Sequence, residues 1–148
     1  MSSSTPHPEI ISMEFSTGCR DNCYYRILAG RHAHIYRATP KDEPEATFSQ
    51  GKLASVDTVW HPTMINFMAL RKTERLTLLA EEAVWQREPH APQLIIAKMT
   101  RFFWEILYIE AETAIFEHLA ALNIGPKFLG HVHENGRVIG FALEKLLD

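Results

Sequence analysis

Residues 93–99 read QLIIAKM and residues 105–122 read EILYIEAETAIFEHLAAL. These two stretches decide the fold. The first is short and almost continuously apolar, the pattern of a buried strand. The second holds no Gly or Pro and is rich in Ala, Leu and Glu, so it predicts a helix. Asn123-Ile124-Gly125-Pro126 supplies its stop, because Asn and Gly tolerate the left-handed backbone of a helix end and Pro cannot continue the helix.

Downstream, residues 128–133 and 138–143 read as two strands. Glu134-Asn135-Gly136-Arg137 joins them, and Asn-Gly is the strongest short hairpin signal. The C-terminal half therefore reads strand, helix, strand, tight turn, strand. Upstream, Glu88-Pro89-His90-Ala91-Pro92 is a breaker. Residues 76–85 carry good helix formers in a mixed pattern and are open to strand or helix. Residues 58–70 are apolar and aromatic, interrupted by Pro62. Residues 24–28 and 32–37 read as short strands around Ala29-Gly30-Arg31, and Pro40, Asp42, Pro44 and Glu45 mark a polar loop. Residues 1–10 read as a loose tail.

The 148 residues are 46% hydrophobic, enough for a real core and too few for an eight-stranded βα barrel of about 250 residues. Fifteen basic against eighteen acidic residues give a net charge of −3, with no bulk attraction for nucleic acid or anionic lipid. Two cysteines, Cys19 and Cys23, cannot build a disulfide framework. No secretory leader is visible, and no apolar run approaches the ~20 residues of a membrane span. The expected setting is intracellular and cytoplasmic.

Winding residues 105–122 at about 100° per residue places Tyr108, Ile109, Ile115, Phe116 and Leu119 around Glu112. Glu110 and Glu117 fall on the far side with Thr113 and Ala121, and the two glutamates are expected to face water. A carboxylate within an apolar stripe is costly unless a cation meets it. Lys98 interrupts the apolar strand just upstream and is the matching misfit. The two are expected to pair, although a solvated position for each or a purely structural pair would explain them as well.

These residues carry a resemblance. Ile95-Ile96-Ala97-Lys98-Met99 resembles the third strand of a protein-kinase-like N-lobe, and residues 109–119 resemble its C-helix. Residues 124–130 (IGPKFLG) resemble the link into its fourth strand, and residues 138–146 (VIGFALEKL) its fifth strand and hinge. The glycine-proline step is similar to that of the aminoglycoside-phosphotransferase branch. Trp60-His61-Pro62, Phe103-Trp104-Glu105 and residues 130–134 (GHVHE) resemble strings of fungal kinase-like proteins. The likeness is strongest over residues 93–148, weaker over 58–92, and not extended to 1–57.

The resemblance implies that Lys98 grips the α- and β-phosphates of ATP, that Glu112 holds Lys98, and that backbone near Glu144 and Leu146 faces the adenine. Two departures stand against it. No G-x-G-x-x-G is present, and residues 52–124 contain no glycine. H-x-D and D-F-G sequences are also missing, so the sequence assigns no catalytic residue, no metal ligand and no magnesium site. The chain reads as an N-lobe without its C-lobe, and independent catalysis is not expected.

Other signals are weaker. Cys19, Cys23, His32 and His34 have a metal flavour at an uncommon spacing. His131-Val132-His133 reads as a half-exposed strand face. Phe102, Phe103 and Trp104 read as packing at the helix entrance rather than as base-stacking groups.

The expected fold is α+β: a small antiparallel sheet packed against one major helix, with an irregular N-terminal extension. The expected organisation is a tail at 1–10, a β-rich extension at 11–57, and a kinase-like N-lobe at 58–148. Two functions remain open: an ATP-binding lobe, or a non-enzymatic domain that meets a protein partner or a second copy. The second would use an exposed apolar patch around residues 141–147.

Overall fold

In a computed structural model of the chain, the described residues are 9–14, 23–29, 32–38, 48–50 and 55–146. The polar loop read at 40–45, Cys19 and most of the tail at 1–10 lie outside them. The chain divides into two units, Met1–Leu53 and Ala54–Asp148.

The first unit carries β1 (Glu9–Glu14), β2 (Cys23–Ala29), β3 (His32–Ala38) and β4 (Phe48–Gln50) in an antiparallel sheet of that order. The two strands expected around residues 29–31 are β2 and β3, paired from Ala29 with His32 to Cys23 with Ala38. The extension is thus more regular than its sequence suggests.

The second unit holds β5 (Met64–Asn66), β6 (Leu70–Arg75), β7 (Ala80–Trp85), β8 (Gln93–Met99), α1 (Ile106–Ala121), β9 (Phe128–Glu134) and β10 (Arg137–Glu144). Its six strands lie in the order β5-β9-β10-β8-β7-β6. Every neighbouring pair is antiparallel except β5 with β9, which is parallel. The α+β reading therefore stands, with one parallel pairing added.

Residues 76–85, open between helix and strand, resolve into a turn at 76–79 followed by β7. Strand pairing on both sides, with β6 and β8, overrides the local preference of Leu, Ala and Glu for helix. The Pro62 interruption separates an irregular segment, residues 55–63, from β5. A 3-10 turn at Phe67–Ala69 follows, its first turn capped by Asn66, whose side chain accepts from the Met68 N–H at 2.9 Å.

The two turns read from the sequence have the required backbone. Asn135 and Gly136 sit at φ 50° and 87°, the paired left-handed residues of a type I′ hairpin. Asn123 and Gly125 take φ 54° and 81° just beyond α1.

Apolar residues cover both faces of the sheet. One face buries Ile65, Ala83, Ile95, Ala97, Val132 and Ala142. The other buries Phe128, Phe141 and Leu143 against Ile109 of α1 and Val56. Gly140 is needed where β10 crosses β8, because a Cβ there would collide with the Lys98 carbonyl and lie 2.7 Å from the Met99 Cα. The outermost strands differ in kind. β6 is exposed and polar from Arg71 to Arg75, whereas β5 is only three residues long.

Candidate functional site

Alternation along β8 sends Ile95, Ala97 and Met99 to one face of the sheet and Ile96 and Lys98 to the face that carries α1. Lys98 lies between Ala80 on β7 and Phe141 on β10. From there its Nζ reaches the Glu112 Oε2 at 2.7 Å. The pair expected from two misplaced charges is formed across the strand-helix connection. Its side chains are 31% and 35% exposed, so both keep part of their hydration. Such a pair contributes only about 0–1 kcal/mol to stability.

Glu112 does not occupy the centre of the buried helix face. Ile109 and Thr113 are buried, with Phe116 packed against the same core, while Tyr108 and Ile115 are 67% and 54% exposed. Glu112 marks the border between these two sides. Nearly the whole circumference of α1 is apolar, so the helical wheel cannot say which half faces the sheet.

Glu110, expected to face water, is instead the main anchor of residues 55–63. Its Oε2 accepts the Asp57 N–H at 2.6 Å, and its Oε1 accepts the Thr58 N–H at 2.9 Å and the Thr58 hydroxyl. Burial pushes its pKa up, but the hydrogen bonds from Thr58 and Asp57 outweigh this and leave it lowered. Two residues further on, the Trp60 indole N–H donates to the Thr113 carbonyl at 3.2 Å.

His131 corrects a second expectation. It is fully buried rather than half-exposed, because β9 lies between β10 and β5 and the His131 ring packs edge-on against Trp60 and Phe128. Its Nε2 accepts the backbone N–H of Trp60 at 3.1 Å and of His61 at 3.0 Å. The ring is therefore neutral, and burial together with the nearby His61 lowers its pKa to about 4. His133 is partly buried and accepts the Gly136 N–H at its Nδ1, 3.0 Å away.

The remaining expected site residues are not gathered around Lys98 in the same way. The Glu144 N–H is taken by the Lys127 carbonyl at 2.9 Å, and its carboxylate accepts the Lys127 N–H at 2.9 Å. Leu146 is 63% exposed. The apolar patch expected around residues 141–147 is absent over its first half: Phe141, Ala142 and Leu143 are buried, since β10 is an inner strand with apolar packing on both faces. Exposed apolar side chains lie instead on α1, at Leu107, Tyr108 and Ile115, and at Leu122 just beyond it, among others elsewhere on the second unit.

The turn at 76–79 is closed by the N–H groups of Leu76 and Thr77, both donating to the Ala80 carbonyl at 3.0 Å. The Arg75 guanidinium covers the carbonyls of Thr77 and Leu78. Those two N–H groups are therefore spent within the turn. Beside Ile96 the sheet face is charged: Glu82, its cross-strand partner, pairs with Lys145 and accepts the Thr73 hydroxyl at 2.7 Å. Those contacts from Lys145 and Thr73 hold its carboxyl below the usual range.

Helix entry is fixed by Glu105, whose carboxylate accepts from the Arg101 and Phe102 N–H groups at 2.8 and 3.0 Å and pairs with the Arg101 guanidinium. Phe102 is buried and stacks on Trp104, which is packing at the helix entrance. Among the described residues, no group of three or more His, Cys, Asp or Glu could hold a metal ion. No helix among them is long and apolar enough to cross a membrane.

No family model, curated protein or solved structure matches the chain. The site therefore has to be read from its own geometry.

Proposed function

We propose that residues 54–148 form a nucleotide-binding half-clamp of the protein-kinase and aminoglycoside-phosphotransferase kind, binding ATP through Lys98 without transferring phosphate alone. The observation that carries this reading is the 2.7 Å contact between Lys98 and Glu112. The element order supports it in part: after the three-residue β5 come three strands, one helix and two strands, with the lysine on β8, the strand just before the helix, and the glutamate on the helix. A partly exposed ammonium held by a carboxylate is a poised anion site, because an incoming phosphate meets a cation whose position is already fixed. The grip falls to the side chain of Lys98, since the 76–79 turn offers no glycine backbone. Transfer itself needs a base and metal ligands, for which the chain has no H-x-D or D-F-G sequence.

The test is a thermal-shift titration with ATP and ADP. Lys98→Ala is expected to weaken binding about 10- to 100-fold, the worth of one charge-assisted contact of roughly 1.5–3 kcal/mol. Glu112→Leu is expected to change the stability of the free protein by no more than about 1 kcal/mol while suppressing the nucleotide shift. Wild-type protein with no shift at millimolar ATP would overturn the reading.

One observation favours a second reading, a non-enzymatic interaction domain. Leu107, Tyr108, Ile115 and Leu122 are all more than half exposed along one side of α1. A continuous exposed apolar stripe is the mark of a protein-binding helix. Light scattering that finds a dimer in wild-type protein and a monomer in Ile115→Glu, without any nucleotide shift, would select it.

A further inference from the structure

Residues 55–63 contain no helix or strand, yet they are tied down at almost every step. The Val56 N–H donates to Val138 on β10 at 2.8 Å. Asp57 and Thr58 bind the Glu110 carboxylate with three donors, and Trp60 reaches the Thr113 carbonyl. The backbone of Trp60 and His61 is held by His131, and the Thr63 carbonyl accepts the His131 N–H at 3.0 Å. The segment is a strap that touches β10, α1 and β9 in turn.

Its two grips on the helix, Glu110 and Thr113, bracket Glu112 in sequence. At about 100° per residue the Glu110 side chain projects well away from Glu112 around the axis, and the Thr113 grip is on its backbone carbonyl. The strap therefore holds one side of the helix while Glu112 works on another. This geometry makes helix rotation matter. A side-chain end lies about 5–6 Å from the axis, so a roll of about 30° would carry the Glu112 carboxylate roughly 3 Å. That distance is enough to break a contact of 2.7 Å. Packing alone resists such a roll weakly, because α1 is apolar on both its buried and its exposed sides. A carboxylate gripped by three donors is directional, and so fixes what apolar packing leaves free.

We infer that Glu110 is a positioning residue: by holding Asp57 and Thr58 it sets the rotation of α1 at which Glu112 meets Lys98. The inference deepens the nucleotide-site reading and rests on it only where nucleotide affinity is measured. Its core statement concerns the free protein.

The experiment is amine labelling of the free full-length chain with an acetylating ester, read by mass spectrometry at Lys98 and Lys145. Lys145 pairs with Glu82 on β7, away from the strap, and serves as the internal standard. In Glu110→Ala the labelling rate of Lys98 is expected to rise at least threefold relative to Lys145. Thr58→Val, which removes only the hydroxyl, is expected to give a smaller rise in the same direction. Glu110→Gln, which keeps the shape and one acceptor oxygen, should fall between wild type and Glu110→Ala. If Glu110→Ala unfolds, both lysines label faster together and Thr58→Val decides the matter. An unchanged Lys98 to Lys145 ratio in a folded Glu110→Ala, or in Thr58→Val in that event, overturns the inference. ATP affinity, measured in parallel, is expected to weaken at least fivefold in Glu110→Ala. A raised labelling ratio in a protein that binds no nucleotide even as wild type would leave the positioning role standing and remove the nucleotide reading.

Discussion

Replacing Gly140 by alanine is expected to destabilise the second unit by about 3 kcal/mol, at the upper end of overpacking costs. The added Cβ would collide with the Lys98 carbonyl and with Met99, which are backbone atoms of the neighbouring strand. Neither can step aside without parting β10 from β8, the pairing that runs from Gly140 with Met99 to Glu144 with Ile95. Gly136 supplies the contrast. A Cβ there meets nothing within 4 Å, and only its φ of +87° opposes the change. Gly136→Ala should therefore cost about 1–2 kcal/mol, the penalty of a left-handed alanine. Urea denaturation of the two variants checks the order. Equal midpoints would mean that β8 and β10 do not approach as closely as described.

Acidification is expected to cost the protein about 3 kcal/mol through His131. In the unfolded chain this ring takes a proton near pH 6.5; in the fold it does so only near pH 4. Between those values the unfolded state binds more protons, so stability is fully present above pH 6.5 and is lost progressively as pH falls toward 4. His61, also lowered by burial and by Lys127, acts in the same direction. Protonation would place a hydrogen on the Nε2 that now receives the Trp60 and His61 N–H groups, so the strap and the charge state are one event. His131→Leu should flatten the pH dependence and cost about 2–4 kcal/mol at pH 7, from two orphaned backbone donors. Denaturant midpoints measured at pH 7, 6, 5 and 4.5 test both statements. A wild-type midpoint that does not move over this range would show that His131 is not buried as described.

Much of the fold was legible because the deciding signals are local. Asn135-Gly136 demands positive φ at two successive residues, and only one hairpin geometry accepts that. Lys98 and Glu112 were legible for a different reason: each breaks an apolar pattern, and each break asks for the other. What stayed hidden depends on partners distant in sequence. Nothing near Glu110 signals Thr58, 52 residues upstream, and a water-facing carboxylate has the same helical phase as a strapped one. His131 could be placed on a strand, but its burial depends on Trp60, 71 residues away. Residues 76–85 illustrate a third limit. They carry good helix formers, and only neighbours on both sides make the second part, Ala80–Trp85, a strand.

The margins of the six-stranded sheet carry a final consequence. Arg71, Lys72, Glu74 and Arg75 line one border with full charges, and three residues make up the other. An incoming strand would have to desolvate those charges or find a foothold on a stub. The second unit is thereby guarded against growth by strand addition, and the fibrillar route to aggregation is discouraged at its usual point of entry.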